Sequence, residues 1–146
     1  MISDPLHLTI EADGVSGPSN QILALLEEAN AAANYPRNDR SFCAALRSAD
    51  GTVRGGVTAR SFWGWLYIIA IVVEKEWRRH GYGQQLLAAA EAWGVEDGCH
   101  SVWLMTMDFQ ARKFYERAGY EVFAELPAFP DNHSRLFMRK ALAVTT

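Results

Sequence analysis

Only two cysteines, Cys43 and Cys99, occur in 146 residues. They provide no disulfide framework, and the expected setting is a reducing cytoplasm. Cys43 sits in an apolar segment and reads as core, whereas Cys99 follows Gly98 and reads as an inert thiol at a loop end. Long apolar runs are missing: the longest, Trp65 to Val73, has nine residues, and a membrane helix needs about 20. The opening residues, MISDPLHLTIEADG, lack a cationic start and do not read as a signal peptide. No charge of one sign dominates, since 14 Lys+Arg against 17 Asp+Glu leave a net −3. That argues against a general nucleic-acid binder, which needs a strong cationic field. A local basic site for a small anion stays open. No H-E-x-x-H and no Cys/His cluster is present, so no metal is expected. The G-x-S-x-G elbow and the phosphate loop G-x-x-x-x-G-K-[ST] are absent too.

Hydrophobic residues make up 49% and charged residues 21% of the chain, an ordinary globular balance. No repeat, low-complexity tract or linker divides it, so residues 1–146 are expected to form one domain. LHLTIEA at 6–12 alternates and predicts a first strand. Ser19 or Asn20 is the expected cap of a helix carrying Ile22, Leu23, Leu25, Leu26 and Ala29, which the stretch from Asn34 to Asp39 breaks. Phe42 to Arg47 and Val53 to Phe62 read as strands joined at Asp50-Gly51, with Gly55-Gly56 weakening or bulging the second. Trp63-Gly64 permits another reversal. Leu66 to Val73 is continuously apolar and predicts a central strand covered on both faces.

After that strand the pattern changes to helical, with Leu86, Leu87, Ala90 and Trp93 on one face and Gly98 as C-cap. Ser101 to Met107 is the next strand. Ala111, Phe114, Tyr115 and Ala118 share a short helix face ended by Gly119, and strands follow at Tyr120 to Glu125 and Ser134 to Met138. The order β-α-β-β-β-α-β-α-β-β predicts an α/β (α+β) fold: a mixed sheet of about seven strands with helices on both faces. The strand–helix–strand portion is where a parallel pair belongs.

The most informative stretch is Ile71-Val-Val-Glu-Lys-Glu-Trp-Arg-Arg-His-Gly-Tyr-Gly-Gln-Gln-Leu-Leu87. A buried strand enters a turn with two arginines and two glycines and then an amphipathic helix. Helix N-termini offer unpaired N–H groups and partial positive charge. Glycines let a ligand approach the backbone, and Arg78 and Arg79 add charged donors. Together they suit an anion, most naturally a pyrophosphate.

Arg78-Arg79-His80-Gly81-Tyr82-Gly83 resembles the Q/R-x-x-G-x-G/A signature of the GNAT acetyltransferase superfamily. Ala111-Arg-Lys-Phe114-Tyr115-Glu-Arg-Ala-Gly119-Tyr120 looks like its second motif, A-x-x-F-Y-x-x-x-G-F/Y, at the usual separation. The resemblance covers nearly the whole chain. It implies a mostly antiparallel sheet, acetyl-CoA as co-substrate and N-acetyl transfer.

The backbone of Ile71, Val72 and Val73 would pair with the pantetheine arm like an added strand. The amides of Arg78, Arg79, His80, Gly81, Tyr82 and Gly83, with Gln84, would cradle the pyrophosphate. Phe109, Arg112, Phe114 and Tyr115 complete the cofactor-binding set, with Tyr115 near the CoA sulfur. One departure stands out: the family commonly has Asn three residues before the motif's Ala, where this chain has Asp108.

Transfer requires a neutral amine, and a lysine-like amine is neutral about once in ~2,000 molecules at pH 7. Many relatives of this kind place a Glu base on the strand before the first motif, but Leu66 to Val73 holds no carboxylate or His. Tyr67 is its only protic side chain and a candidate to order a water. His133, in a segment that resembles a subgroup of small GNAT proteins, is the other candidate, since imidazole titrates near neutrality. A backbone N–H of the 71–73 strand is the expected donor to the developing oxyanion, and Tyr115 the expected proton donor to the leaving thiolate. The acceptor is expected to meet Tyr35, Trp63, Trp65 and Phe129. The leading expectation is therefore a small-molecule amine acceptor, with a possible homodimer through the C-terminal strands. A protein or peptide acetyltransferase and a non-catalytic CoA-binding sensor are the alternatives.

Overall fold

A computed structural model describes residues 4–143. Residues 1–3 and 144–146, the ends of the expected domain, lie outside them. Contacts divide the chain into two compact units, Met1–Arg37 and Asn38–Thr146.

The first unit carries one helix, α1 (Ser19–Ala32). The strand expected at 6–12 does not form; alternation marks a segment able to pair, but a strand exists only where a ladder partner satisfies its backbone. The cap also differs. Pro18 precedes the helix, and neither Ser19 nor Asn20 caps it. Instead Asp13 accepts bonds from the Ser19 amide and hydroxyl, which lower its carboxyl pKa below the usual range.

The second unit is a six-stranded sheet with two helices. Its elements are β1 (Arg40–Arg47), β2 (Val53–Phe62), β3 (Trp65–Val73), a single 3-10 turn at Lys75–Trp77, α2 (Tyr82–Glu96), β4 (Ser101–Met107), α3 (Arg112–Arg117), β5 (Glu121–Leu126) and β6 (Arg135–Ala141). Strand order is β1-β2-β3-β4-β6-β5. Six strands stand where about seven were expected, the difference being the absent first one. All neighbours are antiparallel except β3 and β4, which α2 connects by a crossover.

Alternating side chains of the strands form the core. Val57, Ala59, Leu66, Ile68, Val102, Leu104, Leu136 and Met138 are buried on one face, and Leu86, Leu87 and Ala90 of α2 and Tyr115 of α3 join the same cluster. Trp93 stacks on Phe42 with ring centroids 5.2 Å apart. Cys43 is exposed, not core: alternation on an edge strand turns Phe42, Ala44 and Leu46 inward and Cys43 out. Cys99 is buried, and desolvation with the nearby Asp97 charge pushes its thiol pKa up. A protonated thiol is a poor nucleophile.

The central strands are irregular in two places. Beside Gly55 the β1–β2 register shifts from Leu46↔Gly55 to Arg47↔Val53, leaving Arg54 of β2 without a counterpart, whereas toward β3 Gly55 and Gly56 pair without interruption. A Cβ on Gly55 would lie 2.6 Å from the Val72 carbonyl oxygen, so this glycine serves close approach. A second bulge falls on β3 and shapes the site: Ala59 pairs with Ile68 and Thr58 with Ala70, leaving Ile69 without a counterpart. One extra residue exchanges the two faces of the strand. Before it Leu66 and Ile68 point to the core; after it Ile71 and Val73 do. Nor is β3 covered on both faces throughout, because Ile69, Ala70 and Val72 are exposed.

Candidate active site

The parallel pairing of β3 and β4 covers only Trp65↔Ser101 to Ile68↔Leu104. Beyond Ile68 the strands part, since β4 continues along β6 and β3 continues along β2. The backbone of Ile69 to Val73 therefore keeps β2 on one side and has an open edge on the other. A cavity of about 1090 Å³ fills the gap. Its walls are the diverged strand ends, the turn before α2 and the start of α3.

The turn is shaped by local chemistry. Arg78 Nε donates to the Val73 carbonyl at 2.9 Å, folding the turn back on the strand end. Arg79 and Gly81 both have positive φ, 67° and 80°. That conformation costs an L residue about 1 kcal/mol or more, and Gly avoids the cost. Gly81 precedes α2, and nothing lies within 4 Å of the position its Cβ would take. Gly81, Tyr82, Gly83 and Gln84 at the start of α2 line the cavity, as do Arg78 and Arg79 just before them.

Of the expected cofactor-binding residues, Ile71, Val72, Val73, Arg78, Arg79, Gly81, Tyr82, Gly83, Gln84, Phe109, Phe114 and Tyr115 line this cavity. His80 and Arg112 do not. The His80 ring lies 6.0 Å from that of Tyr82, and Arg112 pairs along α3 with Glu116 at 3.0 Å. Ile69, Trp77, Met105, Thr106 and Gln110 also line it and were not expected. The bulge turns Ile69 toward it and the strand split exposes Met105 and Thr106 to it, and neither leaves a residue signature.

Tyr115 is 7% exposed, and its ring meets Phe114 and Tyr120 edge-on. Its hydroxyl makes no hydrogen bond among the described residues, yet it is not a sealed orphan. Burial pushes its pKa up, so the proton stays on the oxygen through neutral pH.

His133 lies beside the cavity. Its Nδ1 is 2.9 Å from Asp108 Oδ1, and its ring packs edge-on against Phe109, a cavity wall, at 4.7 Å. The other oxygen of Asp108 accepts the Ser134 amide at 2.8 Å. The unusual Asp108 thus fixes both the ring and the chain that carries it.

The remaining expected residues do not line this cavity. Tyr67 stacks on Trp103 at 4.3 Å. Trp63 and Trp65 belong to the β2–β3 hairpin at the other end of β3, and Trp65 packs on His100. About four residues of strand, ~13 Å, separate Trp65 from Ile69. Phe129 lies under the Arg135 guanidinium at 4.3 Å. Tyr35 belongs to the first unit. Among the described residues no His/Cys/Asp/Glu group is arranged to hold a metal ion, and no helix is long and apolar enough to cross a membrane.

The model of the acetyltransferase (GNAT) family matches residues 17–120. The chain belongs to the GNAT acetyltransferase family. It is 38% identical over 81 residues to a blasticidin-S acetyltransferase of Streptomyces morookaense, covering 55% of this chain and 60% of that protein. It is 30% identical over 95 residues to the acetyltransferase Atu2258 of Agrobacterium fabrum, covering 65% and 69%. A solved structure from Agrobacterium tumefaciens matches 94% of this chain and 100% of that one, at 25% identity and a TM-score of 0.86.

Acetyl-CoA is the co-substrate of this family, and the cavity suits it on its own geometry. An open strand edge matches an amide-bearing arm, and a glycine-shaped helix start that follows two arginines matches a diphosphate. Gly83→Val is expected to raise the Kd for acetyl-CoA by about tenfold or more, with a change in Tm of a few degrees at most. A Cβ at Gly83 already reaches the Phe114 ring at 3.4 Å, so valine methyls would project into the cradle. Unchanged affinity by calorimetry would remove the diphosphate from this turn.

Proposed function

We propose that this GNAT acetyltransferase transfers the acetyl group to a primary amine of a small molecule by direct attack in a ternary complex. The observation that carries this reading is the Asp108–His133 pair set against Phe109. It supplies a base where β3 has none. Acetyl-CoA, when bound, brings the activated acetyl group. His133 takes the amine proton while Asp108 holds its ring in one tautomer and balances the charge gained. An amide freed by the Ile69 bulge is aimed to donate to the acetyl oxygen as negative charge builds there. Tyr115 returns a proton to the departing sulfur.

Two further observations favour a small acceptor. The loop between β5 and β6 folds on itself, with Phe129 N donating to His133 O at 2.8 Å and His133 N to Pro130 O at 2.9 Å. One relative is named for acetylating blasticidin-S. The same reading includes the cytoplasmic setting, in keeping with two free thiols, and a homodimer through β5, the terminal strand of the sheet.

The test is thiol release from acetyl-CoA with free primary amines and with peptides bearing Lys or a free N-terminus. Amine-dependent release at least tenfold above the peptide rate is expected, roughly 1.4 kcal/mol of discrimination. Peptides that outrun every amine, or acetyl-CoA binding with no amine-dependent release, would overturn the reading.

A further inference from the structure

We propose that Arg135 anchors an oxyanion on the acceptor, so that the amine accepted here also carries a carboxylate or a phosphate. The proposal rests on the acetyl-transfer reading above and narrows its substrate class.

A guanidinium is always charged and carries five N–H donors. When partly buried it is normally paired. Elsewhere in this molecule that holds: the partly buried Arg54, Arg60 and Lys140 each meet a carboxylate. Arg135 is half-buried and meets none among the described residues. Its Nη1 donates only to Met105 Sδ, at 3.5 Å, and a thioether is a weak acceptor that an oxyanion readily replaces. Its Nε is sealed without a partner, the only side-chain atom so placed among the described residues. Nη2 has no hydrogen bond and is not sealed. The Phe129 ring stacks on the guanidinium and holds its plane. The arrangement presents the two terminal nitrogens as a fork for two oxygens of one group.

Its position relates this fork to the proposed chemistry. Met105, which Arg135 touches, is a wall of the cavity. Phe109, which His133 touches, is another. Arg135 opens β6 and follows His133 by two residues, so their backbones are at most about 7 Å apart. An acceptor whose amine meets His133 and whose oxyanion meets Arg135 is therefore short, a small amino acid or an aminoalkyl phosphate.

The experiment measures thiol release from acetyl-CoA with three- to five-carbon amino acids, each paired with its methyl ester, and with O-phosphoethanolamine paired with ethanolamine. The wild-type kcat/KM is expected to be at least about tenfold higher for the anionic member of one pair type, which also tells carboxylate from phosphate. In Arg135→Gln that ratio should fall to about one, through KM of the anionic member alone. Arg135→Lys keeps the charge without the fork and should retain part of the preference; it also decides the matter should the Gln variant fail to fold. A wild-type ratio near one, or equal losses for both members in either variant, would overturn the anchor while leaving acetyl transfer intact. Absence of release with every amine, while acetyl-CoA still binds by calorimetry, would overturn the transfer reading and the anchor with it.

Discussion

Replacing Tyr115 with Phe is expected to lower kcat by about 10²- to 10³-fold and to leave KM for acetyl-CoA within about twofold. The ring contributes the packing, through Phe114 and Tyr120, and the substitution keeps it. The lost hydroxyl makes no hydrogen bond among the described residues, so the fold loses no partner. On the proposed reading, what disappears is the proton for the sulfur. Desolvation raises the tyrosine pKa, which keeps the acid loaded but makes transfer to a thiolate of pKa about 8.5 uphill by about 2 kcal/mol or more. Transfer must therefore accompany C–S cleavage. The sign also sets the pH dependence: a raised pKa keeps Tyr115 protonated beyond the ordinary tyrosine range, so it contributes no falling limb to the kcat profile below about pH 10. Stopped-flow or steady-state thiol release checks both points, and a wild-type kcat in Tyr115→Phe would exclude the acid role.

His133→Gln is expected to reduce kcat/KM for the amine by about 10²-fold. Asp108→Asn should show a smaller loss, about tenfold, because it leaves the imidazole in place and weakens its orientation. Both variants should keep wild-type affinity for acetyl-CoA, since neither residue lines the cavity. A wild-type kcat/KM for the amine in His133→Gln would assign the base elsewhere.

The cofactor side was far more legible than the acceptor side, and the reason is local. Arg78 to Gly83 are consecutive, and what the backbone needs there, glycine before a helix start, is written in residue types at fixed spacing. The second motif is one turn of helix and is legible for the same reason. Acceptor residues come from separate strands and loops, so their meeting depends on packing. Trp63 and Trp65 look as suitable as Phe109 by type, but the hairpin carries them to the other end of β3. Asp108 reads as a mere departure from a family pattern until His133 is found 25 positions later at 2.9 Å.

The strands themselves divide the same way. Alternation and turn residues placed β2, β4 and the parallel crossover, because period and punctuation are local properties. At Cys43 alternation was present but the buried side was not marked, because burial depends on what covers a strand. At 6–12 it suggested a strand that the described residues do not form, because pairing requires a second strand.

By itself, then, the sequence determined a GNAT chain with a glycine-bearing turn between an apolar strand and a helix, since both are written in neighbouring residues. Only the tertiary structure decided where that strand leaves its parallel partner, which face Ile69 turns outward, and that Asp108, His133 and Arg135 gather beside the opening. Those outcomes arise from contacts between segments far apart in the chain, and no local pattern encodes them.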